Sequence, residues 1–451
     1  MDVDILFKVF ISLALVGVLG LVARLYNALV AQPRKLRSEL RKQGLSGPPP
    51  TLLLGNILEI KKARKAAANA ATGGPPVSHN CGASVLPFFD QWRQQYGEVF
   101  FFSLGNSPIL LVTQPDMVRE ITTCTSWDLG KPSYQAKELG SLLGQGILTS
   151  NGAYWAHQRK IIAPELYMEK VKGMTNIITD SAITLINSWN RIIEVAGGIA
   201  DIKIDQHMRS FSGDVISRAC FGSNYSKGEE IFRRIKALEE AESKKVLATG
   251  IPGMRYLPTK RNKEAWALEK EIHTLVLKVV KERNEAGYER DLLQMILEGA
   301  KNSDLSKDAL DRFIVDNCKN IYLAGYATTA VSATWLLMLL ASNPEWQDRI
   351  RAEVIEVCRG QIPNNDMIRK MKQLAMAINE SMRLYPPNTA VSRETLKDMK
   401  FGGFMYPRHC TPTLKIGVLI LTSLIQRGLQ MGSQVHASFH TYTCHLVSDQ
   451  G

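Results

Sequence analysis

The sequence predicts a mainly α fold with a small β portion, carried behind an N-terminal transmembrane helix. Three observations lead there: an uncharged apolar run near the start, two short apolar strands around residues 99–112, and helical patterning from about residue 115 onward. The 451 residues are 45% hydrophobic and 22% charged, with a formal net charge of +12. This composition excludes a disordered, collagen-like or disulfide-framework protein. It leaves ample chain for a large core.

The charge is unevenly spread. Residues 1–65 hold eleven Lys/Arg against four Asp/Glu, and residues 401–451 hold three against Asp449 alone, so the body between is nearly neutral. A nucleic-acid-binding body would carry a basic face. No nucleic-acid partner is therefore expected, and the basic bias points to a membrane surface. Seven cysteines (Cys81, Cys124, Cys220, Cys318, Cys358, Cys410 and Cys444) are scattered without CxxC pairs. That pattern suits reduced thiols in a cytosol-facing domain.

Residues 9–23 carry no charge and are flanked by Lys8 and Arg24. Both side chains can snorkel, which extends the apolar span to roughly residues 5–30. The start Met1-Asp2-Val3-Asp4 lacks a basic leader region and no small-x-small cleavage site follows, so residues 1–31 read as an uncleaved single-pass anchor. Arg34, Lys35, Arg37, Arg41 and Lys42 come next, and the positive-inside rule keeps them cytoplasmic. Residues 32–50 read as a basic linker ending in a proline hinge, Gly47-Pro48-Pro49-Pro50, whose extended stiffness would set how the body stands off the bilayer. An ordinary linker is the plainer alternative.

Within the body, residues 61–86 open with Lys61, Lys62, Arg64 and Lys65 and turn Ala/Gly/Pro/Ser-rich, which reads as an exposed loop insertion. Residues 99–104 and 109–112 read as strands around the turn Gly105-Asn106-Ser107-Pro108. The longest helix spans 308–342, apolar nearly all round, and stops at Asn343-Pro344. Pro344 suits the first turn of the next helix, which ends near Gly360. There is no HExxH, GxSxG or Walker loop, and Gly144-Gln145-Gly146 is too short for a dinucleotide cradle.

Three features carry chemistry. Ala324-Gly325-Tyr326-Ala327-Thr328-Thr329 places a glycine and two hydroxyls in mid-helix, either for close helix packing or to let a small ligand touch backbone and hydroxyl. Glu380 and Arg383, at i and i+3, can form an ion pair, and their apolar neighbours Leu374, Ala375, Ala377 and Ile378 suggest a largely buried helix. Trp155 and Arg159, at i and i+4, can present an indole N–H and a guanidinium to an anion, or simply stack on each other.

Order and spacing together resemble a microsomal cytochrome P-450 monooxygenase. Trp155/Arg159 match that family's WxxxR helix, residues 324–329 its oxygen-binding motif, and Glu380/Arg383 its ExxR pair. Val391-Ser392-Arg393-Glu394 and Phe401-Gly402-Gly403-Phe404 match the strands after ExxR. The blocks at 251–258 and 291–293 look like the plant branch that oxidises diterpenoid hormones such as gibberellins. The resemblance implies a cytochrome P-450 fold over residues 51–407, a haem (heme, iron protoporphyrin IX) cofactor, a small apolar substrate, an NADPH-dependent cytochrome P-450 reductase as partner, and an endoplasmic reticulum membrane location. It further implies that Trp155, Arg159 and Arg393 bind the haem propionates and that Ala324 and Gly325 leave room beside the iron. Thr328 would hydrogen-bond dioxygen and help deliver protons, as the catalytic residue, while Glu380 and Arg383 would be structural.

The sequence departs from the family pattern twice. Ala327 stands where the motif usually carries an acid, and a methyl group cannot relay protons. The family's axial cysteine sits in an FxxGxRxCxG loop after a PERF-like segment, and residues 1–451 contain neither. Residues 401–451 hold no Glu and a single Asp. Residues 408–451 therefore read as an atypical tail from a shifted frame or alternative splice, leaving the domain C-terminally incomplete and no metal ligand assigned. His436, His440 and Cys444 recur at i, i+4 and i+8, but without a second pair they are not expected to hold zinc. Two readings follow: a haem-thiolate monooxygenase, or an inactive, truncated, membrane-anchored isoform that lacks haem and acts at most through partner binding.

Overall fold

The computed structural model describes residues 3–70, 86–133, 136, 139–222, 225–243, 256–287, 291–301, 306–388, 390–406 and 417–421. The expectations for 251–255, Cys81, Cys410, His436, His440 and Cys444 fall outside these residues.

The apolar run forms α1 (Val3–Tyr26), which continues through a π-helical turn (Asn27–Ala31) into α2 (Gln32–Lys42). From Val9 to Tyr26 every side chain of α1 is exposed. At 1.5 Å per residue, 24 residues reach roughly 36 Å, enough to cross a hydrocarbon core of about 30 Å. The segment read as a linker begins as a docked helix. Leu36 and Leu40 of α2 are buried against the sheet, so Arg34, Lys35, Arg41 and Lys42 stay exposed.

The strands β1 (Val99–Leu104) and β2 (Ser107–Val112) pair antiparallel through a two-residue turn, Gly105-Asn106. β2 thus begins two residues before the apolar run does, and Pro108 is tolerated near the strand's first position. The sheet continues with β3 (Leu129–Gly130), β4 (Ala390–Thr395) and β7 (Gly417–Leu421) in the order β1-β2-β7-β4-β3. A separate hairpin holds β5 (Met399–Phe401) and β6 (Phe404–Tyr406). Alternating side chains send Phe101 and Leu110 toward α2 and Phe100, Phe102 and Leu111 toward α4 (Pro87–Tyr96), whose Trp92 fills that side. The loop expected from residue 61 is instead helical to residue 70, as α3 (Ile57–Ala70). Its Lys, Arg and Ala residues are good helix formers, and Ile60 and Ala63 anchor it to α4 while Lys61, Lys62, Arg64 and Lys65 stay exposed.

The helical body comprises α6 (Gly152–Ile162), α7 (Thr175–Val195), α8 (Ile204–Phe221), α9 (Tyr225–Ser243), α10 (Lys260–Ala286), α11 (Leu292–Lys301), α12 (Lys307–Ala341), α13 (Pro344–Cys358) and α14 (Lys372–Leu384), with α5 (Pro115–Thr123) packed on the sheet. α12 matches the long helix predicted at 308–342 to within one residue at each end. Among the described residues, two helical stretches are long and apolar enough to cross a membrane, residues 9–42 and α12. α12, however, runs through the body, where Phe313, Ile314, Tyr322 and Tyr326 join one cluster with Phe221, Ile231, Leu238, Val276 and Leu293. α14 differs from expectation. Ser381 is its buried residue, and Met376 is 57% exposed, because α12 and α13 cover it from one side and no described element covers the other.

Candidate functional site

Two cations lie against one tryptophan, and a third stands beside one of them. Trp155 and Arg159 lie one turn apart on α6, with the guanidinium carbon 5.4 Å from the indole centroid. The Lys131 ammonium sits 4.9 Å over the same ring. β3 pairs with β4 so that Gly130 faces Glu394, which brings Lys131 beside Arg393. Among the described residues none of the three cations makes an ion pair. The consequence is visible at Lys131, whose pKa is pushed down to about 8 by burial and by repulsion from Arg393 and Arg159. Burial likewise lowers Arg393. A structural network would interleave carboxylates with these groups; this one stores repulsion that an incoming anion would relieve. Two carboxylates on one ligand suit it well.

Sequence reasoning identified Trp155, Arg159 and Arg393 but missed Lys131. Its position is held by backbone and amide contacts: Lys131 N donates to Asn151 Oδ1 at 2.7 Å, Asn151 Nδ2 donates to Lys131 O at 2.9 Å, and Lys131 Nζ donates to Ser150 O at 3.1 Å.

The loop carrying Ser150 and Asn151 is latched to α12 by polar residues in its buried half. Asp316 Oδ2 accepts from Gln145 N at 2.8 Å, Asn317 Oδ1 from Ile147 N at 3.0 Å, and Asn320 Oδ1 from Leu148 N at 2.8 Å. Asn320 Nδ2 donates to Leu143 O at 2.7 Å, and Lys319, 2% exposed, donates to Ser141 O at 3.2 Å while pairing with Asp316. Gln158 ties the loop to α6, donating to Gln145 O and accepting from Ser150 Oγ. Gly144 and Gly146 are required for this approach: a Cβ would lie 2.1 Å from the Asp316 carboxylate carbon and 2.6 Å from that of the Asn320 amide, respectively. The long helix is thus not apolar all round, since it buries a polar face against a loop. Asn320→Leu strands two loop backbone groups. We expect it to cost about 2–6 kcal/mol in urea unfolding, at ~1–3 kcal/mol per buried unsatisfied group.

Further along α12, Ala324 and Thr328 are exposed while Tyr326 and Ala330 are buried, an open stripe in mid-helix. Thr328 donates to Ala324 O at 2.6 Å. Gly325 faces α8, where a Cβ would meet Ile216 Cδ1 at 2.7 Å, so its small size serves helix packing. Ser212 of α8 shares its hydroxyl between the Gly325 and Tyr326 carbonyls. Ala327 packs against the apolar cluster and leaves no acid on that turn. On α14, Arg383 binds Glu380 with both Nε and Nη2, at 2.7 and 2.6 Å, which raises the Arg383 pKa. Tyr385 stacks face to face on Trp335 of α12 at 3.7 Å, joining the two helices beyond that pair.

Against a haem, the cation cluster fits the propionates and the open stripe offers a small-residue surface. The axial position fits less well. Of the described cysteines, burial pushes the Cys318 thiol up to about 12 and raises Cys220 well above its usual value, so both are held as thiols. Cys358 is buried at the end of α13, and Cys124 follows α5.

The cytochrome P450 family model matches residues 78–416. The chain belongs to the cytochrome P450 family. It is similar to plant members over most of its length: cytochrome P450 714C2 of Oryza sativa subsp. japonica is 46% identical over 395 residues, 86% of this chain and 76% of the relative. Cytochrome P450 714B3 of Zea mays is 46% identical over 408 residues (89% and 77%), and cytochrome P450 714A2 of Arabidopsis thaliana is 38% identical over 408 residues (88% and 78%). This P450 is of plant type, and its family's cofactor is haem.

Proposed function

We propose that this P450 is an endoplasmic-reticulum-anchored haem-thiolate monooxygenase that hydroxylates or epoxidises a small apolar substrate, with electrons from an NADPH-dependent reductase. The observation that carries the reading is the uncompensated cation cluster of Lys131, Arg159 and Arg393 around Trp155. Those side chains would hold the two propionates by charge-assisted hydrogen bonds and so fix the ring's rotation in its own plane. Haem, when bound, supplies the oxygen-activating chemistry. Ala324 would leave space beside it. Thr328 Oγ1, now holding its proton toward Ala324 O, would turn that proton to the open side of α12. Glu380 and Arg383 would brace α14 against α12, with Tyr385 on Trp335 as the second brace.

For the substrate, the 251–258 and 291–293 blocks support a diterpenoid hormone. Within the second block, Asp291 pairs with buried Arg283, and Leu292 and Leu293 lie in the core, so these residues mark the branch through packing rather than through substrate contact. The absence of an FxxGxRxCxG segment from residues 1–451 favours the second reading, an anchored isoform that lacks haem and acts at most through a partner. A reduced, carbon-monoxide-treated membrane preparation of the full chain separates the two. A thiolate-haem Soret band is the expected result for the enzyme, and absence of any bound haem supports the inactive isoform.

A further inference from the structure

Where α1 runs into α2, a pocket of about 240 Å³ opens between α2 and two turns of the β-sheet region. Arg34, Arg37 and Arg41, spaced i, i+3 and i+7, line one wall of it. Asn106, from the β1–β2 turn, lines another, and its Nδ2 is buried with no hydrogen-bond partner. No Asp or Glu lines the pocket; Glu39, on the same helix, is not part of it. Arg37 is half-buried with Ser103 Oγ as its hydrogen-bond acceptor at 3.2 Å, and no described ion pair includes the three arginines.

Such a concentration of fork-shaped donors, with an amide N–H still unmatched, has the chemistry of a phosphate receptor. Its rim is apolar on the side of the anchor. Leu29 and Val30 come from the end of the transmembrane stretch, and Leu52 and Leu53 from a turn in which Leu53 is held at φ 63°. A left-handed leucine costs about 1–3 kcal/mol. Here it holds two leucines outward beside the anchor, Leu52 64% exposed. Phosphate-binding groups next to an apolar rim, at the root of a membrane helix, describe an amphiphile.

We propose that this pocket is a headgroup site for an anionic phospholipid of the leaflet that the body faces. The arginines and Asn106 take the phosphate, and the acyl chains leave along Leu29, Val30, Leu52 and Leu53. The lipid would thereby brace the junction of anchor and body at the start of α2. The proposal rests on the membrane-anchor reading and adds a specific site to it.

The test reconstitutes the full chain in phosphatidylcholine nanodiscs doped with phosphatidic acid and measures the lipid retained per chain by native mass spectrometry. Retention of phosphatidic acid over phosphatidylcholine is expected, with apparent affinity falling about fivefold for each arginine removed in Arg37→Gln and Arg41→Gln. Asn106→Asp, nearly isosteric and so safe for folding, should lower it by at least as much. Lys61→Gln/Lys62→Gln, which removes equal charge from exposed α3, should leave retention unchanged. Equal loss from the α3 variant would overturn the site in favour of diffuse attraction. Displacement of the lipid by equimolar inorganic phosphate would overturn the lipid and leave a free-phosphate site. Failure of the chain to enter nanodiscs would overturn the anchor, and the site with it.

Discussion

Replacing the three cations together, as Lys131→Met, Arg159→Gln and Arg393→Gln, is expected to weaken haem retention by roughly a thousandfold or more. Hydrogen bonds to charged groups contribute about 1.5–3 kcal/mol each, and each 1.4 kcal/mol is about tenfold in affinity. Lys131 should also reveal the cluster's purpose through opposite signs. Its folded pKa, about 8, lies below the ordinary lysine value of 10.5, so the fold penalises its charged form. Lys131→Met should therefore stabilise the haem-free protein while it loosens haem. The gain is full below pH 8, shrinks as pH rises toward 10.5 and is absent above it, because there the wild-type lysine is neutral in both states. Haem retention by the wild type should weaken as pH rises past about 8, and the Met variant should lack that step. Urea unfolding and haem-release rates across this range measure both effects.

A second large effect lies away from the site. Arg283, 1% exposed, closes α10 onto the chain ahead of α11 by pairing with Asp291 at 2.7 Å, and it donates to Phe221 O at the end of α8 at 2.8 Å. Arg283→Leu leaves the Asp291 carboxylate buried without its cation. The expected loss is about 3–5 kcal/mol, the range for breaking one side of a buried ion pair. Arg283→Leu/Asp291→Leu should recover much of it, since the charge left behind does most of the harm. A double-mutant cycle in urea measures the difference. If the single and double variants unfold alike, packing rather than the stranded charge sets the cost.

The sequence was most legible where one physical signal acted alone. An uncharged apolar run has one economical structure, and α1 follows it; Pro344 marked the boundary between α12 and α13. Trp155 and Arg159 were visible because helix geometry places i and i+4 on one face. Lys131 was not, since it lies in a Gly-Lys-Pro-Ser stretch without periodicity and reaches the site through the register of β3 on β4. Asp316, Asn317, Lys319 and Asn320 were hidden for another reason. Their charges and amides would ordinarily mark a solvated face, and only the loop at 144–148, with glycines small enough to approach, turns that face inward. Gly325 was ambiguous between ligand space and packing, and a Cβ there would meet Ile216 on α8, so close packing is one reason for its small size. The exposed side of α14 could not be foreseen from its composition, because apolar residues do not state which partner covers them.

The most direct test of the cation cluster compares two ligands on the haem-free full chain in nanodiscs: iron protoporphyrin IX and its dimethyl ester, which lacks free carboxylates. Spectral titration should give tight uptake of the free acid and at least about a hundredfold weaker uptake of the ester. Equal binding of the two, or binding of the free acid unaffected by the triple variant at Lys131, Arg159 and Arg393, would contradict the assignment of these residues to the propionates.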